Sequence, residues 1–201
     1  MQDKNIDTAL IVLARKPILG QVKTRLANET STDFALFCYN KLLSYTIEMC
    51  HKTICDKLFF VTPNFISSLP FPQHLQIGND LGEIQKNASS IGFDCGYHKI
   101  MIIGADCPTI NHHHIHDAIS LLDDNDVVIG PAIDGGYYLI GLKKPCDFIF
   151  ENMPWSESHL LNKMISKIEQ NQLKYALLEV LNDIDTLDDL KPFMTNGEIN
   201  F

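Results

Sequence analysis

A chain of 201 residues, 45% hydrophobic and 20% charged, holds enough apolar material for one globular domain that buries roughly 70% of its unfolded surface. This composition excludes the disordered class. The net charge of −9 argues against a nucleic-acid backbone or an anionic membrane surface as the main partner, since both demand a basic face.

In chain order, apolar runs alternate with helical patterns, as in βα units around a largely parallel sheet. Ala9–Ala14 reads as a first strand covered on both faces. A loop with Pro17 and Gly20 follows. Ser31 or Thr32 then caps a helix with Ala35, Cys38, Leu42, Tyr45 and Met49 at helical spacing. Lys57–Thr62 reads as a second strand, Pro63–Pro72 as a loop, and Leu75–Ile77 as a short strand. A helix spans Leu81–Ile91, a strand Lys99–Gly104, and a second amphipathic helix Asn111–Leu122. Asp126–Ile129 and Tyr137–Leu142 read as strands around the loop from Gly130 to Gly136. The last elements are a helix over Ser156–Ile168, a strand over Tyr175–Val180 and a short helix over Thr186–Phe193.

No run approaches the ~18 apolar residues of a membrane span. The N-terminus lacks a secretory pattern, and the six cysteines form no C-x-x-C pair. Reduced thiols in the cytoplasm are therefore expected.

Four places carry residues suited to chemistry. The first is Arg15-Lys16-Pro17-Ile18-Leu19-Gly20-Gln21-Val22-Lys23-Thr24-Arg25, directly after the first strand. Between Thr8 and Asn28 there is no acidic residue. Cationic side chains here suit phosphate, Gly20 permits a turn with exposed amides, and ligands bind beyond the carboxyl ends of strands. Neither a G-x-x-x-x-G-K-[ST] nor a G-x-G-x-x-G pattern is present, so a plain basic turn competes with a phosphate loop. The second place is Asp106, in Gly104-Ala105-Asp106-Cys107-Pro108 at a strand end, suited to Mg²⁺ or Mn²⁺ or to capping the following turn.

The third is Asp134-Gly135-Gly136-Tyr137-Tyr138, where a D-G hairpin turn competes with a ligand loop. The fourth is Asp183-Ile184-Asp185-Thr186, in which Thr186 reads as a helix cap with Asp189 completing a capping box, and Asp185 is a candidate metal ligand. The run His112, His113, His114, His116 lacks the H-E-x-x-H pattern and reads as a solvated helix start. Cys107 has no assignable activating histidine and reads as packing.

Taken together, K-P-I-L-G-Q-V-K-T-R-L (Lys16–Leu26), G-N-D-L-G-E (Gly78–Glu83), I-G-A-D-C-P-T (Ile103–Thr109), G-P-A-I-D-G-G-Y-Y-L-I-G-L (Gly130–Leu142), P-W-S (Pro154–Ser156) and D-I-D-T-L-D-D-L (Asp183–Leu190) resemble an uncharacterised bacterial family described as glycosyltransferase-A-like. The resemblance implies one three-layer α/β/α domain over residues 1–201 with the glycosyltransferase-A fold of the nucleotide-diphospho-sugar transferases. It implies nucleotide binding by Arg15, Lys16, Gly20, Lys23 and Arg25. It puts Asp106 in the place of the family's metal-binding acidic motif, with Pro108 where a D-x-D pattern would have its second acid, so that Asp134 and Asp185 compete as the further ligand.

The expected reaction is metal-assisted transfer of a sugar from a nucleoside diphosphate. Lys16, Lys23 and Arg25 would stabilise the leaving group, Asp134 would act as general base, and Gly135, Gly136, Tyr137, Tyr138 and Trp155 would shape the acceptor pocket. The alternatives are nucleotidyl transfer from an NTP to a phosphorylated small molecule, and a non-catalytic nucleotide-binding protein.

Overall fold

A computed structural model describes residues 7–63, 69–195 and 198–201. Part of the expected Pro63–Pro72 loop, residues 64–68, lies outside them. The central sheet has the order β3-β2-β1-β4-β6-β5-β7, with β1 at Thr8–Ala14, β2 at Asp56–Val61, β3 at Gln73–Leu75, β4 at Lys99–Ile103, β5 at Val127–Pro131, β6 at Tyr137–Leu142 and β7 at Tyr175–Leu177. Within it, β6 runs antiparallel to both of its neighbours, and the other pairs are parallel. A two-stranded ribbon, β8 (Met194–Thr195) and β9 (Glu198–Ile199), follows at the C-terminus.

Side chains alternate across a strand, and the core divides accordingly. Leu10 and Val12 of β1, Phe59 of β2 and Met101 of β4 pack to one side with Tyr39, Leu43 and Ile115, which belong to α2 (Thr32–Lys52) and α4 (His112–Leu121). Ala9 and Ile11, Leu58, and Ile100 of the same strands pack to the other side with Ala88, Met164 and Ile168, from α3 (Leu81–Asp94) and α5 (Leu160–Gln170). Burial on both faces is why β1, β4 and β5 read as unbroken apolar runs. A third cluster joins Leu26 of α1 (Thr24–Glu29) and Leu42 to Ile184, Leu190 and Ile199. It pins the C-terminal segment, with α6 (Leu187–Leu190), beside the first loop.

Several boundaries differ from the sequence reading, among them the short strand expected over Leu75–Ile77, which forms as β3 at Gln73–Leu75. Residues 24–29, expected as loop, form α1, whose six residues are too few for a periodic signal and whose Leu26 is fully buried. Helix α5 starts at Leu160 rather than Ser156, because residues 154–159 are taken up by turns in which Glu157 N–H donates to Pro154 O (3.2 Å) and Ser156 holds a left-handed φ of 67°. Strand β7 ends at Leu177. The chain still follows β5 through Leu178 N–H to Ile129 O and Leu181 N–H to Pro131 O.

The 132–136 loop closes as a hairpin, with Ala132 N–H donating to Gly136 O (3.0 Å) and Gly135 N–H to Ala132 O (3.1 Å). Gly135 has φ +89°, and a Cβ there would sit 1.9 Å from Ser158 O. Gly135→Ala should therefore destabilise the fold by about 2 kcal/mol or more, combining left-handed strain with backbone overlap. An unchanged urea midpoint would contradict this.

Candidate active site at the carboxyl ends of β1 and β4

From β1 the chain proceeds outward to β2 and β3 and then returns to place β4 on the other side of β1. Such a reversal opens a crevice beyond the strands' carboxyl ends. A cavity of about 650 Å³ lies there, lined by Arg15, Lys23 and Arg25 from the first loop, Asp106 from the β4 loop, and Asp183 and Asp185 from the C-terminal segment. The sequence thus brings its basic turn and its strand-end aspartate to one cleft.

Lys23 is the centre of this cluster. It precedes α1 in a left-handed conformation (φ 46°), and only 5% of its side chain is exposed. Its ammonium donates to Asp106 Oδ2 (3.0 Å) and Asp185 Oδ1 (3.0 Å), and Arg25 Nη1 reaches Asp185 Oδ2 (3.2 Å). Burial alone would lower the Lys23 pKa, but the two carboxylates outweigh it and hold the ammonium above the usual lysine range.

The C-terminal segment is locked against the β4 loop by Ile184 N–H to Asp106 O (3.0 Å) and by a capping box in which Thr186 and Asp189 exchange bonds, as the sequence indicates. Gly104 gives the β4 loop its room, since a Cβ there would meet Asp106 Oδ1 at 2.5 Å.

Asp183 was not singled out by sequence reasoning, although the alternation D-I-D, with Ile184 buried, puts Asp183 and Asp185 on one side of the chain. Its Oδ1 is buried without a hydrogen-bond partner. Burial, then the negative charge of Asp106, push its carboxyl up to about 8, with Asp134 adding to the rise and Lys23 and a Cys107 hydrogen bond opposing it. The Cys107 thiol is itself pushed up to about 12, by burial first and the Asp183 charge second. A buried, protonated thiol is a poor nucleophile, which agrees with Cys107 as packing.

The remaining expected residues divide. Arg15 lines the cavity, its main chain held by Tyr39, whose hydroxyl accepts from Arg15 N–H (2.8 Å) and donates to Arg15 O (2.9 Å). Lys16 and Gly20 are not among the lining residues. The Lys16 amide is tied to Thr62 Oγ1 (2.9 Å) at the end of β2, and Gly20 makes the positive-φ turn (73°) that lets the loop double back.

Asp134, Gly136, Tyr137 and Trp155 line a smaller adjoining cavity of about 190 Å³, shared with Asp183 and Asp185. Tyr138 lines the larger one and is anchored through its hydroxyl to Glu179 O (3.1 Å). Tyr137 donates to Gln85 Oε1. Gly135 packs on the Ser158 backbone and lines neither cavity.

The structure does not gather Asp106, Asp134 and Asp185 into one ligand set. Asp134 Oδ1 accepts from Gly136 N–H (2.8 Å), the hairpin-turn role that competed with a functional one. Nor is the histidine run wholly solvated. His114 is buried and caps α4, accepting from Asn111 N–H at Nδ1 (3.1 Å), so its other nitrogen carries the hydrogen given to Glu179.

Among the described residues no three His, Cys, Asp or Glu side chains stand close enough to hold a metal ion alone. Hard cations such as Mg²⁺ are commonly held by one or two carboxylates together with substrate phosphates. The oxygen-only donors here fit that use: Asp183 has a buried, unpartnered oxygen, and Asp106 and Asp185 already share one cation, the Lys23 ammonium.

Residues 58–157 match the sequence profile of DUF2064, a family described as uncharacterised and conserved in bacteria. Over 105 residues the chain is 34% identical to the 2-phospho-L-lactate guanylyltransferase of Methanocaldococcus vulcanius, a stretch covering 50% of this chain and 45% of that protein. The chain thus matches about half the length of the curated relatives.

Among solved structures it is similar to one from Desulfovibrio desulfuricans G20, provisionally described as a nucleotide-diphospho-sugar transferase. The two share 29% identity and superpose with a TM-score of 0.87 over 96% of this chain and 88% of the other. A cytidylyltransferase from Leptospira borgpetersenii shares the fold with a TM-score of 0.58 at 13% identity, over 96% and 90% of the two chains. Through residues 58–157 this chain carries the sequence signature of the DUF2064 family, on the mostly parallel α/β fold of the nucleotide-diphospho-sugar transferases.

Proposed function

We propose that this protein is a nucleotidyltransferase that joins an NTP to a phosphorylated small molecule. An oxygen of the acceptor's phosphate attacks the NTP α-phosphorus, the bond to the β-phosphate breaks, and pyrophosphate leaves with the electron pair. The observation that carries this reading is the single cleft in which the cations of the first loop meet Asp106. It is supported by the guanylyltransferase relative over half the chain. A transferase of this fold is common ground with glycosyl transfer, so the choice rests on the nucleophile.

A sugar-accepting hydroxyl requires a base to remove its proton. An acceptor phosphate does not, because its second pKa of about 6 leaves it ionised at neutral pH. The carboxylates gathered around Lys23 and the hairpin are poorly disposed as bases. Asp106 and Asp185 are paired with Lys23, Asp134 is tied to the Gly136 amide, and Asp183 is held protonated at neutral pH by its burial. That arrangement favours nucleotidyl over glycosyl transfer.

Arg15, Lys23 and Arg25 would grip the phosphates of the bound nucleotide and offset the charge that develops on pyrophosphate. A divalent cation at Asp106 with Asp183 or Asp185 would supply further neutralisation of phosphate charge. Gln85, Tyr137 and Trp155, around the smaller cavity, would shape the acceptor's place.

The test supplies the four NTPs, Mg²⁺ and 2-phospho-L-lactate or other phosphorylated hydroxy acids, and measures pyrophosphate. Acceptor-dependent pyrophosphate release is expected, with Asp106→Asn lowering it about 100-fold, a loss of ~2.7 kcal/mol of transition-state stabilisation. Release of a nucleoside diphosphate from a nucleotide sugar, with no pyrophosphate from any NTP, would reverse the choice.

A further inference from the structure

The rim of the large cavity between β3 and α3 carries amides whose hydrogen-bonding ends are chemically assigned by their neighbours. Gln76 Nε2 lies 3.1 Å from Ala14 O and 2.8 Å from Phe60 O. Both are main-chain carbonyls, which only accept, so the nitrogen must face them and Oε1 is the end left for the cavity. Asn79 is fixed in the same way. Its Nδ2 and its main-chain N–H both meet Glu83 Oε2, at 2.9 and 2.8 Å, and a carboxylate only accepts, which leaves Oδ1 free.

Next to them, Asp80 spends one oxygen on the Glu83 amide (2.8 Å) as the cap of α3. Gln76, Asn79 and Asp80 all line the cavity. Their side chains therefore offer it three acceptor oxygens, and one hydrogen of Asn79 Nδ2 beyond the bond to Glu83. Gln76 is set at the carboxyl ends of β1 and β2, since its bonds run to the last residue of β1 and to Phe60. Gly78, between the two amides, packs against Glu83, where a Cβ would stand 2.7 Å from the Glu83 Cβ. The rim is thus held in shape by its own residues.

We propose that Gln76 and Asn79 read the nucleobase and select guanine. This assignment rests on the nucleotidyl-transfer reading above and deepens it. The two assigned amide oxygens, Gln76 Oε1 and Asn79 Oδ1, are complementary to an edge that presents donors side by side, and guanine offers both N1–H and the N2 amino group on its pairing edge. Adenine and cytosine each present one amino group beside a ring acceptor, and uracil presents one N–H between two carbonyls. Each of those bases would set at least one acceptor against the carbonyl oxygens of the rim, and buried acceptors facing each other forfeit their hydrogen bonds.

The test works on the ligand, so the fold is untouched. Binding of GTP, ITP, ATP, CTP and UTP to the whole chain is measured by calorimetry in Mg²⁺. ITP lacks only the N2 amino group. GTP is expected to bind about tenfold or more tightly than ATP, CTP or UTP, and about three- to tenfold more tightly than ITP, the range for one neutral hydrogen bond. In Asn79→Ala the ratio of GTP to ITP affinity, taken within the same variant, should fall toward one. Gln76→Met also breaks the two bonds to Ala14 and Phe60, so Asn79→Ala is the cleaner probe. Equal affinity for GTP and ATP, or for GTP and ITP, overturns the base assignment and leaves nucleotidyl transfer standing. If no nucleoside triphosphate binds, both fall together.

Discussion

Lys23→Met is expected to lower thermal stability and to cut turnover sharply. The substitution keeps a side chain of similar length on the same left-handed backbone position, so its effect is that of the ammonium. Without it, Asp106 and Asp185 face each other across the place where Nζ stood, 3.0 Å from each. Removing one partner of a buried ion pair commonly costs about 3–5 kcal/mol. The carboxylates here are 38% and 43% exposed, so water screens part of that repulsion and about 1–3 kcal/mol is the better expectation.

Catalysis should fall about 100-fold or more, the usual consequence of removing a charge aimed at a transition-state oxygen. The same geometry predicts a rescue. Mg²⁺ or Mn²⁺ should raise the melting temperature of Lys23→Met more than that of the unaltered protein, because the variant's paired carboxylates lack a cation. A variant that melts with the unaltered protein and ignores both metals would show that the cluster neither holds the cleft together nor favours a cation.

Asp183→Asn should move stability and activity in opposite directions. In the folded chain the Asp183 carboxyl is pushed up to about 8 from an ordinary 3.8. Between those values the folded state keeps a proton that the unfolded chain has released. This group's contribution to stability is therefore complete below about pH 3.8, declines as pH rises, and is lost above about 8. Burial sets most of it, with Asp106 and Asp134 further opposing ionisation and Lys23 and Cys107 favouring it.

The amide that replaces this carboxyl cannot ionise, so the variant should lose the slope and exceed the unaltered protein above pH 8 by about 1–3 kcal/mol, the cost of a buried group left unsatisfied. Its transferase activity should nonetheless drop about 100-fold, since an amide is a weaker ligand than a carboxylate for a phosphate-bound cation. Urea titrations at pH 5 and pH 8.5 measure the first effect and pyrophosphate release the second. An unchanged pH slope in the variant would remove Asp183 from the account.

Much of this molecule was written locally. The unbroken apolar runs of β1, β4 and β5, the Ser31, Asn111 and Thr186 caps and the Asp134-Gly135 turn depend on neighbours within a few residues. Position after a strand likewise marked the first loop and Asp106 as candidates, because in an open α/β sheet the carboxyl ends of strands face a crevice whatever the loops contain. Helix α1 escaped because six residues carry no period, and its Leu26 is helical through contact with Ile184 and Leu190, far along the chain.

Which charges meet was another matter. Lys23, Asp106 and Asp185 are separated by up to 162 positions, and only the reversal of strand order at β1 and the docking of the C-terminal segment bring the two carboxylates within 3.0 Å of the ammonium. The same docking buries Asp183 and raises its carboxyl, while the hairpin withdraws Asp134 by giving it the Gly136 amide. Residue type and spacing set the elements and the supply of charged groups. Their pairing, burial and protonation follow from distances across the sheet, which a one-dimensional pattern does not contain.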